Sequence, residues 1–321
     1  MGQLSNLDIV NDCDNFPYYT DDEELYTAAL KDYYQFRVEG CESCLGYITS
    51  SVATKMPLTK DWNLDQNKKH LTFQPRNSSG EPVKDFAERN RILAEYLQDV
   101  REKKVYRVLN GWRNELYPIY GPNKTLLLNM ERSATPLFGV VTYGVHMTGY
   151  VKTPEGMKIW APRRALTKQT YPGMMDNTVA GGLSTGEKPF ECLVRECEEE
   201  ASLPADVVQS AQACGTLTYF HVRDARAGGE TGLCQPECQY IYDLVLPPDV
   251  IPKPGDDEAI DFQLLTVDEV REAIANGKFK PNCAHLLLEF FVRHGILTAE
   301  NEPHYIDIVS KFHRKLEFPM P

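Results

Sequence analysis

Residues Gly181 to Leu203 read GGLSTGEKPFECLVRECEEEASL, and what this stretch can become decides the fold. A Gly-Gly turn precedes Glu187 and Pro189, and from there five glutamates fall within the ten residues Glu191 to Glu200. Each helical residue turns the chain by about 100°. Glu196, Glu199 and Glu200 therefore share one face, while Glu198 points nearly the opposite way. Leu193, Val194, Cys197 and Ala201 form an apolar stripe beside them, so the helix can dock and leave its acidic face free. Carboxylates at i, i+3 and i+4 repel one another and destabilise an isolated helix. A cation that neutralises them is the simplest explanation; a solvated acidic face is the plain alternative.

The spacing resembles a known pattern. Gly181, five residues, Glu187, seven residues, then Arg195-Glu196-Cys197-Glu198-Glu199-Glu200-Ala201-Ser202-Leu203 is similar to the Nudix box, G-x5-E-x7-R-E-U-x-E-E-x-G-U with U a bulky apolar residue. Two positions depart from it. Cys197 is small for the first apolar slot, and Ser202 replaces the final glycine at a turn where only glycine takes positive φ freely. The resemblance implies that Glu196, Glu199 and Glu200 bind Mg2+ or Mn2+, and that Arg195 pairs with Glu187 to brace loop and helix. Carboxylate oxygens suit such hard cations, and a metal-associated water deprotonated by a nearby carboxylate can attack phosphorus in line.

At 321 residues the chain has room for about two domains. An apolar content of 42% with 25% charged residues is that of a globular protein in water. Apolar runs are too short to span a bilayer, and the start has no signal-peptide pattern. A net charge of −12 argues against nucleic acid or an anionic membrane as partner. It leaves open a small-molecule diphosphate held through a metal and a few local cations. Nine cysteines, an odd number without a secretory signal, suggest the reducing cytoplasm. Cys41 with Cys44 and Cys234 with Cys238 form two close pairs, a zinc site in principle and small core residues in the plainer reading. Oligomeric state cannot be read from the sequence.

Along the chain, Asp21 to Tyr34 has helical spacing and Tyr34 to Thr49 suits a hairpin. The stretch from Pro57 to Pro82 turns polar, and Phe86 to Val108 is an amphipathic helix capped by Asp85. Leu116 to Tyr120 and Leu126 to Arg132 read as strands. The expected division is 1–135, a smaller α+β domain, and 136–321, the domain carrying the box. In the second, Val141 to Val151 alternates as a strand covered on one side or both. Met157 to Ala161, Thr216 to Val222, Gln239 to Leu246 and Glu258 to Leu265 add strands. A glycine-rich loop around Gly228, Gly229 and Gly232 suggests mobility. Thr266 to Glu269 forms a capping box, and Pro281 to Arg293 is a second helix. This order suits an α/β/α sandwich with a mixed sheet, the architecture the resemblance also implies.

Outside the box, Glu258 in Gly255-Asp256-Asp257-Glu258 is the candidate for a further carboxylate of the kind the family often uses; an acidic turn is its alternative. Arg163, Arg164 and Lys168 lie between a strand and the box, placed to meet phosphate, with surface roles as the other reading. His146 reads as a satisfied structural histidine. Gly111-Trp112-Arg113-Asn114-Glu115, Glu131-Arg132-Ser133, Tyr143-Gly144-Val145-His146-Met147, Tyr171-Pro172-Gly173 and Phe279-Lys280-Pro281-Asn282-Cys283 resemble the thiamin-pyrophosphokinase-related Nudix proteins of fungi and plants, a branch that Ser202 also fits. That resemblance implies a diphosphatase for thiamin diphosphate, above all for damaged oxy- and oxothiamin forms, releasing the monophosphate and phosphate. The N-terminal domain would then shape the substrate site. Trp112, Arg113, Asn114 and Arg132 are its candidates for a ligand with two aromatic rings, one cationic, and stitching the two domains together is their alternative. Other diphosphates, nucleoside or isoprenoid, and a non-catalytic sensor remain open as further readings.

Overall fold

The computed structural model describes residues 2–321. The chain runs α1 (Asn6–Cys13), α2 (Glu23–Leu30), β1 (Tyr33–Val38), β2 (Cys41–Thr49), α3 (Ser50–Lys55), β3 (Trp62–Asp65), β4 (His70–Phe73) and α4 (Phe86–Glu102), then β5 (Leu116–Tyr120), β6 (Leu126–Glu131) and α5 (Thr135–Phe138). It continues with β7 (Thr142–Thr153), β8 (Gly156–Arg164), β9 (Val179–Gly182), α6 (Pro189–Ala201), α7 (Ala205–Val208), β10 (Gln212–Val222), β11 (Cys234–Val245), β12 (Ala259–Thr266), α8 (Val267–Ala275), α9 (Pro281–Arg293) and α10 (Tyr305–Ser310).

Contacts divide these elements into two compact units. The sequence suggested one cut after residue 135. The contacts place the boundary between Thr142 and Tyr143, and three segments cross it: the chain up to Asn15 joins the later unit, while Phe220–Pro236 and Leu316–Pro321 join the earlier one.

In the earlier unit, β2-β1-β4-β3 form a sheet in which β1 and β4 run parallel and the other neighbours antiparallel. β5 and β6 make a separate hairpin. Helix α4 starts where Asp85 accepts the Glu88 N–H, and it buries Leu93, Tyr96, Leu97 and Val100 in the core. The glycine-rich loop is held rather than loose. The Glu230 carboxylate accepts the N–H groups of Arg107 and Val108, and Arg223 donates to the carbonyls of Ala227 and Gly228.

In the later unit the sheet order is β10-β11-β7-β8-β12, with β9 paired to β7. β7 is buried along nearly all its length, because helices cover both faces. Met147 meets Cys197 of α6 on one side, and Tyr150 meets Phe290 of α9 on the other. This is the expected α/β/α sandwich. Helix α1, absent from the sequence reading, docks on the α9 side. A capping box between Ser5 and Asp8 starts it, and Ile9, Val10 and Cys13 enter the same core as α8 and α9. Among the described residues no helix is long and apolar enough to cross a membrane.

Candidate functional site

The site is built where α6 lies against β9. Cys192, Leu193, Cys197 and Ala201 are buried along α6, so Cys192 takes the place the sequence gave to Val194. The acidic face is not fully free either, because Glu196 is buried too. It packs on the backbone of Gly181, where an added Cβ would stand 2.1 Å from the Glu196 carboxyl carbon. The first glycine of the box is thus required by close approach rather than by its dihedral angles. One residue away, the Ala180 N–H donates to Glu200 Oε2 at 3.0 Å.

Arg195 grips Glu187 with a two-point fork, Nε to Oε1 at 2.8 Å and Nη2 to Oε2 at 3.0 Å. Its Nη1 reaches Glu196 at 2.9 Å and Glu199 at 3.0 Å. One guanidinium therefore neutralises three box carboxylates and fixes the loop to the helix. Burial opposes ionisation of Glu187, yet Arg195 outweighs it and holds the carboxyl below its usual range. Glu200 goes the other way: burial and the neighbouring Glu196 charge push it well above the carboxylate range, against the pull of the Ala180 N–H. Glu198 is exposed to solvent.

At its C-terminus α6 is capped by a loop. Lys253 and Gly255 donate their N–H groups to the carbonyls of Ala201 and Glu200. Ser202 sits at φ 51°, ψ 32°, so the left-handed turn usual for glycine forms with serine in its place.

Beside Glu200 a small cleft opens, lined by Arg164, Asp176, Asn177 and Glu258, with Pro162 and Phe262 as apolar walls. Asp256 accepts the Glu258 N–H in a tight turn, and this turn presents Glu258 to the cleft that Glu200 enters. Glu258 thus sits in the acidic turn that one reading gave and lines this cleft. Lys168 Nζ lies 2.5 Å from Glu258 Oε2.

The three expected phosphate cations separate. Arg164 is half-buried and spends its donors on Asp176 (2.5 Å) and on the Thr170 and Tyr171 carbonyls. Arg163, next along the strand and so on its opposite face, pairs with Asp261 at 3.0 Å. Only Lys168 remains a candidate to reach a ligand. Trp112, Arg113, Asn114 and Arg132 belong to the earlier unit and form a knot of their own. Trp112 Nε1 donates to Asn114, the Arg113 N–H to Glu131, and Arg132 to Glu115.

Sequence reasoning passed over Asp176 and Asn177 as cleft residues. For Asp176, burial would raise the pKa, but Arg164 and then Lys280 more than offset it, so the carboxyl stays ionised. Its Oδ1 also receives the Cys283 thiol at 2.6 Å. Asn177 Oδ1 meets His146 Nδ1 at 2.8 Å, which makes His146 the satisfied structural histidine expected. The signal available was the Asp-Asn pair just ahead of the box.

Among the described residues no three His, Cys, Asp or Glu side chains converge closely enough to grip a metal. The cysteine pairs are no exception, and all nine thiols are free. For the box glutamates the donor set nonetheless suits a hard divalent cation: Glu200 lines the cleft beside the Glu196 charge, and their mutual repulsion is what a cation relieves.

The profile of the NUDIX domain matches residues 144–284, and that of a domain of unknown function, DUF4743, matches residues 8–142. An uncharacterized protein of Saccharomyces cerevisiae is 36% identical over 80% of this chain and 75% of its own length. Nudix hydrolase 20, chloroplastic, of Arabidopsis thaliana is 35% identical over 71% of this chain, which spans 59% of that longer protein. Among solved structures, DR0079 from Deinococcus radiodurans aligns with 55% of this chain and 98% of its own, at 21% identity and a TM-score of 0.41.

Proposed function

Because this chain belongs to the Nudix family of diphosphate hydrolases, we propose that it is a metal-dependent diphosphatase of thiamin diphosphate, acting preferentially on the damaged oxy- and oxothiamin forms. The products are the thiamin-type monophosphate and inorganic phosphate, with one water consumed. The observation that carries the hydrolytic part is Glu200, held near the Glu196 charge, lining a cleft that Glu258 also lines. The thiamin part is supported by the segments around Trp112, Arg132, His146, Tyr171 and Lys280, which resemble one branch of the family across both units.

Glu196, Glu199 and Glu200 would hold Mg2+ or Mn2+, with Glu258 as a fourth carboxylate. When bound, the metal supplies charge to the diphosphate oxygens and lowers the pKa of a water. The chain's own residues do the remaining work. Arg195 holds the glutamates in register, Asp176 keeps Arg164 and the cleft wall in place, and Lys168 can turn from Glu258 to a phosphate oxygen. We propose a cytoplasmic location, a reading supported by the odd count of nine cysteines.

The test is phosphate release, with Mg2+ present, from oxythiamin diphosphate, thiamin diphosphate, ADP-ribose, nucleoside diphosphates and isopentenyl diphosphate. Release from the thiamin forms, fastest for oxythiamin diphosphate, is expected; turnover confined to the other substrates would sink the proposal. Chelation should abolish release, and Glu200→Gln should lower it by about 100-fold or more.

A further inference from the structure

Asn177 is 2% exposed and lines the cleft beside Glu200, Glu258 and Asp176. One end of its amide is fixed. Oδ1 lies 2.8 Å from Nδ1 of His146, itself buried, and burial together with the Lys280 ammonium keeps this imidazole neutral. A neutral ring carrying its proton on Nδ1 donates to the amide oxygen. The other end, Nδ2, is buried with no hydrogen-bond partner at all. A buried donor left unmade is costly, and turning the amide over would pair Nδ2 with His146 only on the other imidazole tautomer, leaving Oδ1 unpaired in its place. Three carboxylates line the same cleft, and beside them the NH2 end of an amide is favoured over its oxygen.

We propose that Asn177 Nδ2 donates to a non-bridging diphosphate oxygen in the cleft, and that His146 is the positioning residue that aims it. A neutral donor suits this place. A lysine here must first leave a carboxylate, as Lys168 must leave Glu258, and Arg164 has its donors engaged. The amide holds the phosphate by direction without cancelling the charge needed for a cation. This inference rests on the diphosphate reading of the cleft.

The probe is methylenediphosphonate, titrated calorimetrically in Mg2+. Asn177→Leu preserves size and removes the donor; binding about 10- to 100-fold weaker is expected, the worth of one hydrogen bond to a charged group. His146→Leu should raise KM for the hydrolysed diphosphate several-fold with kcat nearly unchanged. His146→Gln, which keeps an N–H toward Oδ1, should restore KM, an outcome a merely structural histidine would not give. A folded Asn177→Leu protein that binds the diphosphonate as tightly as wild type overturns the proposal. Should Asn177→Leu fail to fold, unchanged binding by His146→Leu overturns it equally. If wild type binds the probe and Asn177→Leu does not, while no thiamin diphosphate form is hydrolysed, the substrate reading falls and this one stands.

Discussion

At Gly181 one methyl group separates a closed box from an open one. Its added Cβ would collide with the Glu196 carboxyl, buried and held on its other side by Arg195. Gly181→Ala should therefore displace Glu196 and lower kcat/KM by about 100-fold, the scale on which misplacement by an ångström acts, while the melting transition stays cooperative. His285 offers a test by pH. It is wholly buried between the rings of Tyr219 and Phe312, neither ring nitrogen has a partner, and burial first of all brings its pKa down to about 3. The unfolded chain takes up a proton there near pH 6.5, whereas the folded one does not. Stability from this residue is thus intact above pH 6.5 and lost progressively as pH falls toward 3. His285→Leu should flatten that decline in thermal melts at pH 7, 6 and 5 without loss at pH 7; an unchanged slope would contradict the assignment. The box pair Glu187–Arg195 was legible because the resemblance to the Nudix box implies it, and the structure holds it with a two-point fork. Asn177 and the commitments of Arg164 were not, because they depend on which carbonyls and rings the fold brings from elsewhere.

Among the elements, α6 shows what the missing glycine costs. Ser202 takes the left-handed conformation itself, and a non-glycine residue there is strained by about 1 kcal/mol. Ser202→Gly should raise stability by up to that amount in denaturant melts and leave turnover unchanged. A loss would show that the hydroxyl has a role of its own. Helices with polar caps and periodic apolar faces, such as α4 behind Asp85 and α8 behind Thr266, could be read directly. Helix α1 could not, since only three buried apolar side chains stand in a polar stretch. Strands β3 and β4 have four residues each, too few to show alternation in a polar region. β9 is Val-Ala-Gly-Gly, a sequence with no strand pattern, and it becomes a strand because β7 and α6 enclose it.

On the scale of the whole molecule, neither unit is continuous in sequence. In the later unit Asp14 and Arg314 pair at 3.0 Å with both side chains almost fully buried, joining the two ends of that unit. Arg314→Leu leaves a buried carboxylate and should cost about 3–5 kcal/mol, measured as loss of the folded baseline or a much lower melting temperature. Removing the chain through Asn15 should be at least as damaging, although the profile of the NUDIX domain begins only at residue 144. The earlier unit in turn needs its last strand of chain: Phe318 packs on Tyr47 and Phe220, and Glu317 accepts the Tyr26 and Tyr47 hydroxyls. This has a consequence for biosynthesis. Domains usually fold one after another as they leave the ribosome, but here the first half must wait for residues near 318 and the second half must retain residues near 10. Both units therefore close only after synthesis reaches the end of the described chain, and until then the apolar faces that Phe318 and α1 cover stay open.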